Sequence, residues 1–210
     1  MIVAIDGPAG SGKSTVAKAL AERLGFRYLD TGAMYRAVTW LAMQKSIDLS
    51  AGDALAGLAA AEPVTFDDAG RVFIAGTDVT SSIRQQRIDR MVPVVAAHPG
   101  VREVMRERQR QLGREGDVVI EGRDIGTIVA PDAKVKVYLV ADPEERARRR
   151  TADRPGIGAD ALATDLKTRD REDAERMQPA PDAQEIDTTN LRVEDVVERI
   201  EALVRERTPA

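Results

Sequence analysis

Cysteine is absent from the 210 residues, and His98 is the only histidine. Without cysteine the chain forms no disulfide, uses no thiol nucleophile and builds no cysteine-based zinc site. A single imidazole likewise excludes a zinc site made of several histidines and a relay of two histidines. The chemistry of this protein therefore has to come from other side chains.

Long apolar runs are also missing. Met1 leads directly into the segment Ile2-Val3-Ala4-Ile5, with no basic region before it, and no apolar run reaches about 18 residues. We therefore expect no export signal and no membrane span, and a cytoplasmic protein. With 43% hydrophobic and 31% charged residues, the chain has the composition of a globular protein and the length for one full domain core.

An excess of positive charge is lacking as well, because the formal net charge is −4. Duplex-binding proteins normally carry a basic excess, since their affinity comes largely from neutralising phosphates. Of the 31 basic residues only 6 are Lys and 25 are Arg. The flat guanidinium fork suits phosphate binding, although codon bias or a warm habitat explains this bias at least as well. We expect small-molecule partners and no nucleic acid.

Strands and helices are predicted to alternate along the chain. Met1–Asp6 is a short apolar run typical of a buried strand, and the apolar spacing of Ser14–Leu24 is typical of one helix face. Phe26–Leu29 predicts a second strand, and a helix follows from about Ala33 to Gln44. Further predicted elements are a helix at Val101–Leu112, strands at Val118–Glu121 and Val135–Val140, a helix at Pro143–Thr151, a helix over 159–177, a strand at Glu185–Asp187 and a helix at Val193–Arg207. This alternation predicts an α/β protein with a doubly wound parallel sheet between helical layers.

The segment between about Ser46 and Pro93 has a different texture. Val64–Phe66 and Val72–Ile74, joined by a glycine-containing turn, predict a hairpin that Gly76–Thr80 extends. A polar helix is expected at about Ser82–Asp89. These features predict a small antiparallel insertion on the α/β core.

A phosphate-binding loop follows the first predicted strand. The residues Gly7-Pro8-Ala9-Gly10-Ser11-Gly12-Lys13-Ser14, followed by Thr15, fit the pattern G-x-x-x-x-G-K-[ST] without a mismatch. Glycines let backbone N–H groups turn towards an anion, and the N-terminus of the next helix adds positive potential. Lys13 is expected to reach the β- and γ-phosphates of ATP, and the Ser14 hydroxyl to bind Mg²⁺.

The class of phosphate-binding protein can be narrowed. Signalling GTPases read guanine with an Asn-Lys-x-Asp motif, which this chain lacks. Motor and helicase ATPases are usually much longer and move a partner. A chain of this length with its own insertion is more like a small-molecule kinase.

Charged side chains follow two other predicted strands. Thr31 is a plausible N-cap, and Arg36 in the next turn is placed to grip a phosphate, although it is also compatible with an ordinary surface position. Arg123 and Asp124 follow the strand Val118–Glu121. Ligands of parallel sheets gather at the carboxyl ends of strands, so Arg123 suits a phosphate and Asp124 an amino group. A structural Arg123–Asp124 ion pair is the alternative.

A further charged group lies near the C-terminus of a predicted helix. Arg169, Asp173 and Arg176 are spaced at i, i+4 and i+7 and so share one helix face. This pattern fits a solvated ion-pair face or a site for ribose and phosphates. The arginines between Arg146 and Arg150 run into the loop 153–158, a candidate lid hinge.

Taken together, these segments resemble the bacterial cytidylate kinase family over nearly the whole chain. Beyond the phosphate-binding loop, the specific motifs are Leu-Asp-Thr-Gly-Ala-Met-Tyr-Arg at 29–36, the hairpin insertion ending in Gly-Thr-Asp-Val-Thr-Ser-Ser-Ile-Arg at 76–84, Glu-Gly-Arg-Asp-Ile-Gly-Thr at 121–127 and Arg-Asp-x-x-Asp-x-x-Arg at 169–176. The resemblance implies a nucleoside monophosphate kinase that makes CDP or dCDP from ATP and CMP or dCMP. It implies a core of residues 1–36, 93–150 and 170–210, a monophosphate-binding insertion of residues 37–92 and a lid of residues 151–169. We expect a monomer.

The resemblance also implies roles for single residues. Thr31, Arg36, Arg102 and Asp124 would face the monophosphate, with Arg102 and Asp124 at the cytosine edge. Arg169 and Asp173 would hold the sugar. Arg176 would hold the phosphates. Apart from the resemblance, the phosphate-binding loop and the strand ends lead us to expect that Lys13, Arg123 and Arg176 serve the transfer itself.

The sequence departs from the family at Pro93, where the family often has a serine near the base. Proline offers neither a hydroxyl nor an N–H group, so the base preference stays open. The alternatives are a phosphate-binding-loop kinase for UMP, AMP or a shikimate-like acceptor and, from another class, an ATP-binding regulatory or nucleic-acid-associated protein.

Overall fold

One five-stranded sheet is built from the strands Ile2–Asp6 (β1), Arg27–Asp30 (β2), Val118–Glu121 (β6), Val135–Val140 (β7) and Gln184–Asp187 (β8), in the order β2-β6-β1-β7-β8. All of them except β7 end in an acidic residue. The structure is a computed structural model that describes residues 1–153, 158–174 and 177–207. In chain order its strands and α-helices are β1 Ile2–Asp6, α1 Lys13–Leu24, β2 Arg27–Asp30, α2 Thr31–Gln44, α3 Gly52–Ala61, β3 Thr65–Phe66, β4 Val72–Ile74, β5 Thr77–Asp78, α4 Gln86–Ala97, α5 Pro99–Gly113, β6 Val118–Glu121, β7 Val135–Val140, α6 Pro143–Asp153, α7 Ala159–Asp173, β8 Gln184–Asp187 and α8 Val193–Arg207.

The sheet has β1 at its centre, paired in parallel with β6 on one side and β7 on the other, and β7 pairs in parallel with β8. Strands β6 and β7 are buried almost throughout, as expected for a parallel sheet covered on both faces. Helices α1 and α8 pack together, and their apolar residues share one core with β1 and β7. The predicted doubly wound α/β fold is confirmed.

The chain divides into two compact units, and the boundary falls inside β2. The first unit is Met1–Tyr28 with Gly116–Ala210, and the second is Leu29–Glu115. In the second unit α2 packs on α4 and on β4, α3 packs on α5, and β3-β4-β5 form a small antiparallel sheet. The predicted hairpin is thus present. The division into core, insertion and lid is a functional one and stays a prediction.

Several predicted helix limits were wrong. Helix α2 begins at Thr31 because Asp30, not Thr31, is its N-cap: the Asp30 carboxylate accepts a hydrogen bond of 2.7 Å from Ala33 N. Helix α7 ends at Asp173, short of the predicted end at 177. The predicted helix Ser82–Asp89 is a 3₁₀ turn at Ser82–Arg84 followed by α4, which contains Pro93.

Helix α3 was not predicted at all. The segment of α3 is rich in Ala and Gly, so its sequence shows little helical periodicity. In the structure this helix buries only Leu55 and Ala59. In the part of the chain that the structure describes, no helix has the length and apolar character needed to cross a membrane.

Candidate active site

The phosphate-binding loop joins β1 to α1 through three glycines with positive φ. These are Gly7 at 144°, Gly10 at 80° and Gly12 at 89°, values that side chains with a Cβ rarely adopt. A Cβ on Gly7 would also collide with the carbonyl oxygen of Leu139. Helix α1 begins at Lys13, and no side chain caps its N-terminus. Its first N–H groups are therefore available to an anion, as the motif predicts.

Lys13 is buried beneath this loop, and its ammonium group donates a hydrogen bond of 2.6 Å to the carbonyl oxygen of Pro8. Burial and the positive charge of Arg123 lower the pKa of Lys13 to about 7. A lysine held in such surroundings gains from an anion, because a nearby negative charge stabilises the protonated form. The geometry suits a polyphosphate.

Ser14 is linked to a buried carboxylate on β6. Its hydroxyl donates a hydrogen bond of 2.9 Å to Oε2 of Glu121, and the Tyr28 hydroxyl donates one to Oε1. Glu121 lies beside Ile5 in the register of β1 and β6, near the start of the phosphate-binding loop. Our sequence reasoning gave Glu121 no role. Its position at the end of an apolar strand, directly before the motif's glycine, was the available signal.

The segment after β6 is held by two carboxylates of the first unit. Asp6 accepts hydrogen bonds from Ile125 N and Gly126 N, at 2.9 and 2.8 Å. Arg123 Nε donates a hydrogen bond of 3.0 Å to Oδ2 of Asp173 on α7. Arg123 thus has a carboxylate partner other than Asp124, the one considered from the sequence. The structure brings Arg123 and Asp173 together.

The arginines of α6 support the loop. Arg146, buried at 7% exposure, donates a hydrogen bond of 2.7 Å to the carbonyl oxygen of Ala9 and pairs with Asp170. Arg149 is held by Glu145 and donates to both oxygen atoms of Thr188. The sequence suggested arginines that close over a phosphate. The structure shows that Arg146 also holds the backbone of the phosphate-binding loop at Ala9, and that Arg149 holds the backbone of Thr188.

A cavity of about 360 Å³ lies directly beside the loop in the first unit. It is lined by loop residues including Gly12 and Thr15, by Arg149 on α6 and by Leu191, which precedes α8. This volume is within the range of ligand pockets. Its wall at 188–193 was not predicted, because only the tertiary fold brings that segment to the loop.

In the second unit, two arginines share one carboxylate. Oδ2 of Asp30 accepts hydrogen bonds from Arg36 at 2.8 Å and from Arg84 at 3.2 Å, while Oδ1 caps α2. Arg84 is more than half exposed. Thr31 is buried in the first turn of α2, and Arg102 lies on α5. Two guanidinium groups against one carboxylate leave a net positive charge suited to a phosphate.

Two predicted site residues cannot be placed. Arg176 lies outside the described residues, and so does the side chain of Arg169, although its backbone belongs to α7.

The sheet topology, the glycine-rich loop and the buried lysine define a P-loop phosphotransferase, and related proteins narrow the class. A sequence model of the cytidylate kinase family matches residues 3–206. A cytidylate kinase of Bacillus subtilis (strain 168) is 46% identical over 98% of this chain and 97% of its own. One of Geobacillus kaustophilus (strain HTA426) is 48% identical over 98% and 96%. A solved shikimate kinase of Bacteroides thetaiotaomicron shares the fold, with a TM-score of 0.54, 16% identity and 98% coverage of both chains. The chain belongs to the cytidylate kinase family, and it is a nucleoside monophosphate kinase.

Proposed function

We propose that this enzyme transfers the γ-phosphoryl group of ATP to CMP, and also to dCMP, forming CDP and dCDP. The observation that carries this proposal is the phosphate-binding loop with Lys13 buried beneath it, in a chain that matches the cytidylate kinase family over residues 3–206.

The donor half of the proposal rests on the first unit. The triphosphate lies against the backbone amides from Gly7 to Thr15, and Lys13 reaches its β- and γ-phosphates. Contact with these anions raises the pKa of Lys13 again, so that the bound lysine is protonated at neutral pH. The nucleoside part of ATP occupies the adjoining cavity of about 360 Å³.

The residues beside Ser14 fit Mg²⁺. Ser14 Oγ and Glu121 Oε2 are 2.9 Å apart, and both are the oxygen ligands that this ion prefers. Among the described residues no group of three or more His, Cys, Asp or Glu side chains is placed to hold a metal, which agrees with an ion held by few protein groups together with phosphates. When bound, Mg²⁺ neutralises charge on the phosphate oxygens. Ser14 would contact it, and Glu121 would orient Ser14.

For the acceptor, the family resemblance assigns Thr31, Arg36 and Arg102 in the second unit, and Asp124, Arg169, Asp173 and Arg176 in the first. The position of Arg123 after β6 adds this residue to the first unit's group. In the second unit, support comes from Arg36 and Arg84, whose two positive charges exceed the single negative charge of Asp30. In the first unit, it comes from the Arg123–Asp173 pair. Arg102 and Asp124 recognise the cytosine edge in this proposal. Arg36, Arg123 and Arg176 hold the phosphate.

The transfer itself needs positioning and neutralisation of charge. A phosphate oxygen of CMP attacks the γ-phosphorus in line with the leaving oxygen of ADP, and the charge spreads over the equatorial oxygens. The acceptor oxygen already carries negative charge at neutral pH, so no general base is required. Lys13, Arg123 and Arg176 reduce the repulsion between the two nucleotides.

A panel of acceptors tests this proposal. ADP formation from Mg·ATP is measured with CMP, dCMP, UMP, AMP and shikimate in turn, each over the same range of concentrations. We expect CMP and dCMP to give kcat/KM values at least tenfold above the others, an advantage of about 1.4 kcal/mol in transition-state binding. A preference for UMP, AMP or shikimate would assign the same loop to another acceptor.

A further inference from the structure

Asp6 is a buried carboxylate to which the proposed transfer assigns no role. It is the last residue of β1 and precedes Gly7 of the phosphate-binding loop, and only 6% of it is exposed. Both hydrogen bonds that its carboxylate accepts come from one distant segment, from Ile125 N at 2.9 Å and from Gly126 N at 2.8 Å. Each oxygen takes one of the two amides.

Burying a carboxylate at this position is unfavourable unless it is hydrogen-bonded. Burial raises the pKa of Asp6, and the amides of Gly126 and Ile125 lower it. The hydrogen bonds therefore offset part of the cost of burial. An apolar residue at this position would serve the packing of β1 in the sheet equally well. The contribution of the carboxylate therefore lies in the segment at Ile125 and Gly126 to which it is hydrogen-bonded.

The segment that Asp6 holds begins with the pair Arg123 and Asp124. Directly after them the chain forms a π-helical turn, Ile125–Val129, with Asp124 at its N-terminal cap. Such turns are rare and often lie at functional sites. The first N–H groups of a helical turn have no partner within it, and Asp6 accepts hydrogen bonds from the first two.

Close packing also restricts the same turn. A Cβ on Gly126 would lie 3.3 Å from Cδ of Lys136 and 3.5 Å from Oδ2 of Asp6, so there is little room for the turn to shift. The backbone of Gly122 also donates a hydrogen bond of 3.0 Å to Ile5 O on β1. The loop 122–126 is thus attached to the end of β1 at three points.

We propose that Asp6 is a positioning residue for the acceptor nucleotide: it holds the start of the Ile125–Val129 turn and thereby sets the placement of Arg123 and Asp124. This inference rests on the proposed function, which assigns these two residues to CMP. Asp6 acts from the strand that also leads into the phosphate-binding loop. One carboxylate therefore ties an acceptor-binding segment to the strand that carries the donor loop.

The substitution Asp6→Asn tests this role. An amide of the same shape keeps one acceptor oxygen but turns an NH₂ group towards the second N–H, so the turn has to move. We expect the KM for CMP to rise about 10- to 100-fold, since a displacement of about 1 Å in a binding group can have an effect of that size. The preference for CMP over UMP should fall with it. The dissociation constant of a fluorescent ATP analogue should stay within about twofold of the unsubstituted enzyme.

Asp67→Asn is the matched control, because Asp67 also accepts a hydrogen bond from a backbone amide, that of Arg71, but lies in an exposed turn of the second unit. Asp67→Asn should leave both the KM for CMP and the dissociation constant of the ATP analogue unchanged. If Asp6→Asn raises the dissociation constant for ATP while sparing CMP, Asp6 acts on the donor loop and the inference is wrong. A lower melting temperature with normal constants for both substrates would also overturn it, since Asp6 would then only stabilise the fold.

A second variant approaches the same turn from its own side. Gly126→Ala places a methyl group 3.3 Å from Cδ of Lys136, tighter than an ordinary contact, and should raise the KM for CMP with ATP binding preserved. Normal CMP kinetics would contradict the inference even if Asp6→Asn does not fold. In the double variant with Asp124→Asn, the two losses should be less than additive, because Asp6 acts through Asp124. Fully additive losses would overturn this route. Failure of the unsubstituted enzyme to use CMP would instead refute the proposed function.

Discussion

The hydroxyl of Ser14 donates a hydrogen bond of 2.9 Å to the carboxylate of Glu121, which lies 107 residues further along the chain. The other oxygen of Glu121 accepts a hydrogen bond from Tyr28. The carboxylate is buried at 4% exposure, and these two hydroxyl groups help to fix its orientation. The phosphate-binding loop is in this way attached to β6.

Glu121→Gln should weaken the preference for metal-bound ATP. The amide keeps an acceptor oxygen for Ser14 but removes the negative charge beside the proposed Mg²⁺ contact. We expect the affinity for Mg·ATP to fall about 10- to 100-fold, the usual effect of changing a group that orients a metal ligand. Affinity for ATP in the presence of EDTA should change little. Both are read from the fluorescence of a bound ATP analogue, and an equal loss with and without metal would contradict this role.

Gly7→Ala should destabilise the protein much more than Gly12→Ala. Both glycines have positive φ, but a Cβ on Gly7 would collide with the carbonyl oxygen of Leu139, whereas a Cβ on Gly12 would meet only Nη1 of Arg149 at 3.5 Å. We expect a loss of about 1–2 kcal/mol for Gly12→Ala, from the backbone conformation. Gly7→Ala should lose at least about 2 kcal/mol more, from overpacking against backbone. Urea unfolding measures the loss of stability in both variants. Equal losses would contradict the prediction, because the contact between the new Cβ and Leu139 would then be relieved.

How far the sequence predicts this protein depends on how local each feature is. The strand, loop and helix from Ile2 to Leu24 were predicted because apolar periodicity and the glycine pattern agree within one short segment. The start of α2 was predicted two residues late, since Asp30 and not Thr31 caps it. Both residues are good N-caps, and only the backbone conformation distinguishes them.

The supporting carboxylates could not be assigned from spacing. Asp6 and Glu121 end apolar strands, which marks them as unusual, but their partners lie more than 90 residues away. The same holds for Arg146, whose contact with Ala9 depends on how α6 packs. The candidate ligand-binding residues could be proposed from motifs, whereas the contacts of Asp6, Glu121 and Arg146 depend on long-range packing.

Glu145 should stabilise α6 in a pH-dependent way. Hydrogen bonds from Arg148 and Arg149 lower the pKa of its carboxyl group from 4.5 to about 2. The stabilisation is therefore complete above about pH 4.5 and is lost as the pH falls towards 2. We expect Glu145→Gln to lower the free energy of unfolding at pH 7 by about 0.5 kcal/mol, because the pairs are of the i,i+3 and i,i+4 type and Arg148 is exposed. The difference should shrink below pH 4.5. A difference that grows in acid would contradict this assignment.

Asp30→Ala should lower the stability of the fold and also weaken binding of the acceptor nucleotide. The carboxylate caps α2 and is shared by Arg36 and Arg84. Loss of the cap is expected to cost about 1 kcal/mol. Asp30→Asn keeps an oxygen for Ala33 N and should recover most of that stability, while both variants should raise the KM for CMP because the position of Arg36 is no longer fixed. A KM for CMP that is unchanged in both would remove Arg36 from the acceptor site.

The central claim is that the loop from Gly7 to Thr15, with Lys13, holds the ATP whose γ-phosphoryl group is transferred to CMP. The most direct test follows the label from [γ-³²P]ATP into CDP with the unsubstituted enzyme and with Lys13→Met. We predict labelled CDP from the former, and a rate lower by about 10³-fold or more in the latter, with far-UV circular dichroism and melting temperature close to those of the unsubstituted protein. A near-normal rate for Lys13→Met, or no labelled CDP from the unsubstituted enzyme, would contradict the claim.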